Sequence, residues 1–207
     1  MLTFIVFSNQ VTGRVVEKLG SEGVVLFNFT DPAVDMSGWT EVSDTVREPG
    51  KSKALLVLQK TQVFQRAVFF ALLNPQPNGA AFAGVRHPIA LQLFPASSIT
   101  IKCRAQGSNS HFKIALKHHG QQPGPVRTPS YEYYFEAPGG DELQYLNFPL
   151  LEFKPYINGV LCIDCDPLDT GDITSFGIQV YGGVNEEVKQ SGPEALEIDW
   201  IKAANYC

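Results

Sequence analysis

Residues 98–117 read SITIKCRAQGSNSHFKIALK, and the first half alternates without a break: Ile99, Ile101 and Cys103 against Thr100, Lys102 and Arg104. Successive side chains of an extended chain point to opposite faces, so this spacing puts the apolar residues on one face and the polar ones on the other. His111-Phe-Lys-Ile-Ala-Leu-Lys117 alternates in the same way. Two such runs predict half-buried strands of an antiparallel sheet.

The same period recurs along the chain. Strands are expected at Gly23–Thr30, Lys53–Gln59, Arg66–Leu73, Tyr131–Glu136, Leu143–Phe148, Ser175–Tyr181 and Ala195–Ile201, with Gly, Pro, Asn and Asp clusters between them. No long pattern of helical period and no internal repeat appears. The expectation is an all-β protein, an antiparallel jelly-roll sandwich. At 207 residues the chain suits one domain burying roughly 70% of its unfolded surface. Residues 23–207 are assigned to that sandwich, and 1–22 to an N-terminal extension whose Val11, Val15, Val16 and Leu19 with Arg14 and Lys18 suggest a short amphipathic helix.

Composition excludes several function classes. The formal charge is −5 and basic residues are not clustered, so no nucleic-acid partner is expected, because phosphate neutralisation needs a basic footprint. The apolar start, Met1 to Phe7, is too short to span a bilayer and has no positive flank. A protein that is not an integral membrane protein, intracellular and either cytoplasmic or mitochondrial, is expected, with no convincing signal or transit peptide.

Chemical motifs fare poorly. Gly50-Lys51-Ser52 matches the end of a phosphate-binding loop, but Thr45 stands at the first glycine position, Pro49 removes an N–H, and a strand follows where a helix is required. The segment reads as a turn launching a strand. Cys162-Ile-Asp-Cys165 is a lone pair of cysteines leading into a loop; without a second pair or spaced histidines it reads as two reduced, partly buried thiols. His118 and His119 are adjacent on a strand end and point to opposite faces, while His87 falls in a loop. Asp164, Asp166, Asp169 and Asp172 fail the EF-hand pattern, leaving an irregular calcium site or a solvated turn, so metal binding stays unassigned. Glu197 and Asp199 share one strand face opposite Leu196, Ile198 and Trp200; no complementary half-site accompanies them, so no catalytic residue is assigned. Tyr131, Tyr133 and Phe135 share another strand face. Such aromatic rows pack in cores, stack on sugars or anchor protein partners.

Taken in order, Leu26-Phe-Asn-Phe29, Trp39 through Asp44, Gly50-Lys-Ser52, Gly79 through Arg86, Tyr133-Tyr-Phe135, Phe148 through Pro155 and Leu196 through Ile201 resemble the complex I intermediate-associated protein family. The resemblance spans residues 24 to 203 and rests on order and spacing rather than on one motif. It implies a galactose-binding-like jelly roll, a non-enzymatic role, no cofactor, and protein partners, intermediates of respiratory complex I for the best-known members. Pro49-Gly50-Lys51-Ser52 fills a turn that is usually Gly-Gly-x-Ser in that family. Two further readings compete with an assembly factor: a carbohydrate or small-ligand module, and an enzyme using Glu197 with Asp199 or the aspartate cluster. The residues expected to meet a ligand or partner are Arg86, His87, Tyr131, Tyr133 and Tyr156.

Overall fold

The computed structural model describes residues 23–46, 48–119, 128–184 and 187–205. The extension assigned to residues 1–22, most of the polar loop near 120 and Cys207 therefore lie outside the described residues. The elements in chain order are β1 (Val24–Asn28), β2 (Thr40–Ser43), β3 (Lys53–Lys60), β4 (Gln65–Leu73), β5 (Phe82–Leu91), β6 (Ser98–Gly107), β7 (His111–His118), β8 (Ser130–Glu136), β9 (Gln144–Pro149), β10 (Lys154–Ile157), β11 (Val160–Leu161), β12 (Ile173–Tyr181) and β13 (Gly192–Ala204). All pairings are antiparallel, in two sheets that form a jelly-roll sandwich. One sheet runs β3-β4-β13-β6-β9, with β1 also on β13; the other runs β11-β10-β8-β7-β12-β5-β2.

The opening stretch behaves as its alternation dictates. Ile99, Ile101 and Cys103 on β6 and Phe112, Ile114 and Leu116 on β7 are fully buried between the sheets. Phe69 of β4 meets Phe112 of β7 edge to face at 6.3 Å, and Phe135 of β8 meets Phe148 of β9 at 4.8 Å, so aromatic pairs bridge the two sheets. Full burial of each such side chain stabilises by about 1.5–3 kcal/mol. Burial pushes the Cys103 thiol up to about 12, which leaves it protonated and unreactive.

Local chemistry explains the turn at residue 50. Asp44 is buried and accepts from the Ser52 amide (2.9 Å) and the Ser52 hydroxyl (2.8 Å), while that hydroxyl accepts from the Asn74 amide. A Cβ on Gly50 would stand 2.0 Å from the Asp44 carbonyl oxygen, so only glycine fits where the chain crosses over. The Gly-Lys-Ser triplet is a structural clasp on Asp44.

Four features correct the sequence reading. Residues 82–91, read as a loop around His87, form the ten-residue strand β5; its Pro88 lies beyond the reach of β2, which pairs only Ala83 to Arg86, so no ladder partner is lost there. Cys162 and Cys165, expected reduced, are joined in a disulfide, their Cα atoms 5.5 Å apart just beyond β11. A bulge between Ile198 and Trp200 inserts one residue into β13 and moves Trp200 to the outer face, where it meets Tyr145 at 5.6 Å. His119 adopts a left-handed φ of 56°, which ends the alternation and brings its ring 4.2 Å from that of His118.

Candidate functional site

The outward face of the seven-stranded sheet is concave, and its hollow follows from register. Arg86, Gly177, Ala115 and Glu132 lie side by side across β5, β12, β7 and β8. Long side chains thus flank a floor made of a hydrogen and a methyl group. A Cβ on Gly177 would come within 3.1 Å of the Val85 carbonyl oxygen, which keeps that floor low. The resulting groove has a volume of about 520 Å³.

Three kinds of surface line it. On one flank Lys113 and Glu132 form a buried ion pair at 2.7 Å, and the Tyr134 hydroxyl donates to the same carboxylate oxygen at 3.0 Å. The Lys113 ammonium sits 5.4 Å from the Tyr134 ring centre, and Tyr134 packs tilted on Tyr156 (5.6 Å) and edge-on to Tyr181 (5.1 Å). At the centre stand Arg86 and Lys117, both half-buried. Burial, then the neighbouring Arg86 charge, pulls the Lys117 ammonium below the usual lysine range. At the far end Val42, Val46, Phe82 and Val184 supply an apolar margin.

Of the five residues singled out from sequence, the structure brings Arg86 and Tyr156 together in this groove and turns the other three inward. Tyr131 is only 1% exposed, and its hydroxyl donates to the Asp166 carbonyl at 2.8 Å. Tyr133 packs against Phe148 and Phe153. Their shared face is the core side of β8, because Phe135 on that face anchors the inter-sheet contact. His87 packs between Phe27 (5.3 Å) and Trp39 (5.2 Å), its Nδ1 buried without a hydrogen bond. The opposite face of β8, carrying Ser130, Glu132 and Tyr134, is the one that meets the groove. Sequence reasoning passed over these residues and Lys113 and Lys117; the available signal was the spacing Ser175, Gly177, Gln179, Tyr181 opposite Phe176, Ile178 and Val180.

The acidic residues weighed for catalysis are engaged elsewhere. Glu197 accepts from Arg66 (2.5 Å), Arg104 (3.1 Å) and Gln106 (3.0 Å), while Asp199 pairs with Lys102 (2.9 Å) and Arg66 (3.5 Å). Burial pushes the Glu197 carboxyl up, but the bonds and charges of Arg104 and Arg66 outweigh it and hold the carboxyl below the usual range. A carboxylate so held is a poor proton donor near neutrality. Asp169 accepts from the Gly171 amide and donates its own amide to His118 Nδ1, and His119 lies 3.3 Å from its carboxylate. Among the described residues no group of three or more His, Cys, Asp or Glu side chains converges as a metal site, and no helix is long and apolar enough to cross a membrane.

The model of the Complex I intermediate-associated protein 30 (CIA30) family matches residues 27–198, which include every strand lining the groove. The chain belongs to the CIA30 family. No curated protein matches it in sequence. Among solved structures, this CIA30-family chain is similar to the family 11 carbohydrate-binding module of the cellulosomal cellulase Lic26A-Cel5E of Clostridium thermocellum, with a TM-score of 0.61 and 14% identity over 92% of this chain and 97% of that one. The Clostridium thermocellum family 11 module in complex with a β-1,3-1,4-mixed-linked tetrasaccharide gives a TM-score of 0.58 at 14% identity, covering 88% and 95%. An exo-β-agarase gives 0.52 at 13% identity, covering 89% of this chain and 26% of the enzyme. At such identities the likeness concerns the fold, the galactose-binding-like jelly roll of carbohydrate-binding modules.

Proposed function

We propose that the chain is a non-enzymatic binding protein of the CIA30 type, which docks a protein partner on the concave face of its seven-stranded sheet. The partner is an intermediate of respiratory complex I assembly, and the protein acts inside the cell where that complex is built. The observation that carries this reading is the groove itself: an open hollow with an apolar margin, a cationic centre and a tyrosine flank, whose one carboxylate among the described residues, Glu132, is committed to Lys113 and Tyr134. Such a surface recognises rather than transforms. Family membership supports the identity of the partner. The test is quantitative mass spectrometry of proteins crosslinked to the tagged full chain in its native source. Enrichment of complex I subunits over a folded β-sandwich control is expected; no enrichment overturns the reading.

A second reading is favoured by Tyr134, Tyr156 and Tyr181 in the same groove: a carbohydrate or small-ligand module, since tyrosine rings stack on sugars. A glycan-array signal abolished by Tyr156→Ala would favour it over protein docking.

A further inference from the structure

Charge in the groove is unevenly settled. Lys113 is neutralised by Glu132, whereas among the described residues neither the Arg86 guanidinium nor the Lys117 ammonium has a hydrogen bond or ion pair. Register explains why they face a common space: Arg86 borders Gly177 on β12, and Lys117 borders Ser175 two residues along the same strand, so nothing larger than Ser175 stands between them. Holding two like charges near each other, half out of water, costs free energy that an incoming anion recovers.

We infer that Arg86 and Lys117 form a subsite for a carboxylate, and that its natural occupant is an acidic side chain of an extended peptide segment with apolar neighbours. This rests on the protein-docking reading above and names the chemistry of what docks. Three observations choose a peptide over a polyanion. The chain as a whole carries −5, so its field repels a densely anionic ligand and admits an isolated negative group only where cations are local. Val46 and Val184, exposed at the rim, and Phe82 beside them offer contact to apolar side chains, which a sugar acid lacks. On the far side of Ala115 the third cation, Lys113, is already held by Glu132, so a second carboxylate one step across the groove finds no free cation among the described residues, which favours a single acidic residue. The depressed ammonium pKa of Lys117 agrees with a site that gains from an anion.

The experiment is selection of a random octapeptide display library on the immobilised full chain at physiological salt. Enriched peptides carry one Asp or Glu flanked by apolar residues. Replacing that residue by Asn or Gln weakens binding roughly tenfold or more, as expected for loss of charge-assisted hydrogen bonds, and added salt weakens the acidic peptide more than its amide twin. The double variant Arg86→Gln/Lys117→Gln, checked for an unchanged melting temperature, erases the difference between the twins. Peptides selected without an acidic preference, or an acidic preference that survives the double variant, overturn the subsite. So does the absence of any enriched peptide, and so does binding confined to uronate-bearing oligosaccharides. Failure of the subsite is distinguishable from failure of the docking reading: if complex I subunits still crosslink to the double variant as to the parent, the partner stands and the carboxylate subsite falls.

Discussion

The two outward faces of the sandwich dispose of charge in opposite ways. On the six-stranded sheet Glu197 and Asp199 are enclosed by Arg66, Lys102, Arg104 and Gln106, so every charge in that patch has a counterpart within the fold. On the seven-stranded sheet Lys113 has Glu132, but Arg86 and Lys117 have no counterpart among the described residues. Both faces carry charged residues at alternate strand positions, and a count of them does not separate the faces. Pairing does. Closed networks contribute to stability, and unpaired cations in a hollow contribute to recognition.

That contrast is open to attack in order of expected effect. Between the paired strands β8 and β10 the inward and outward tyrosines come apart most widely: Tyr131→Ala of β8 leaves a cavity and an unpaired Asp166 carbonyl and costs about 3–5 kcal/mol, whereas Tyr156→Ala of β10, at the groove, costs less than about 1 kcal/mol. Chemical denaturation measures both, and equal costs would erase the division between packing and binding faces. Next, Glu197→Ala leaves Arg104 without a carboxylate partner and Arg66 with Asp199 alone, and costs about 3 kcal/mol. Because the Glu197 carboxyl is held below its ordinary 4.5 in the folded state, its contribution is present above pH 4.5 and is lost as pH falls through the folded value. The parent therefore loses more stability on acidification than Glu197→Gln, and parallel acid profiles would show that the network contributes nothing.

Glu194 of β13 supplies a third arrangement, neither closed nor open. It is 3% exposed, accepts from Asn109 on one oxygen, and leaves the other without a partner. Burial pushes its carboxyl up to about 7 from 4.5, with the Asn109 bond opposing. The folded protein thus keeps a proton that the unfolded chain releases, and this residue lowers stability as pH rises from 4.5 to about 7, with no further change above. Glu194→Gln removes that decline and raises stability at pH 8 by roughly 1–2 kcal/mol, read from melts across pH; an unchanged profile refutes it. The smallest effect belongs to the groove. Arg86→Gln/Lys117→Gln changes stability by no more than about 0.5 kcal/mol, and in the stabilising direction at low salt. A large loss would mean that these cations are structural after all.

Strand periodicity made much of the fold legible. The nine strands expected from alternation all occur, because their inward residues, such as Ile99, Ile101, Phe176 and Ile178, are mostly apolar. β5 escaped notice because Gly84, His87 and Pro88 interrupt its pattern: Gly84 yields space to the Gln179 side chain, and His87 serves as an aromatic packing group. The site was less legible. Period two sorts residues onto two faces without saying which is inside, and on β8 both faces carry tyrosines: Tyr131 and Tyr133 lie on the core face and Tyr134 on the groove face. The hollow depends on Gly177 and Ala115 standing next to each other between Arg86 and Glu132, a matter of register between strands far apart in sequence. The Cys162–Cys165 disulfide and the bulge at Asp199 are likewise set by local backbone path, which composition does not encode.

The position of β13 bears on how the chain is made. It is the central strand of its sheet, pairing with β4 and then β1 on one edge and with β6 along the other, yet it follows all of them in sequence. A nascent chain emerging from the ribosome up to residue 191 therefore presents β4 and β6 as neighbouring open edges with their shared partner still unsynthesised. Unpaired edges of this kind recruit foreign strands. Synthesis is thus the interval in which this fold most needs shielding, and that interval closes only when Gly192 to Ala204 slide into the gap.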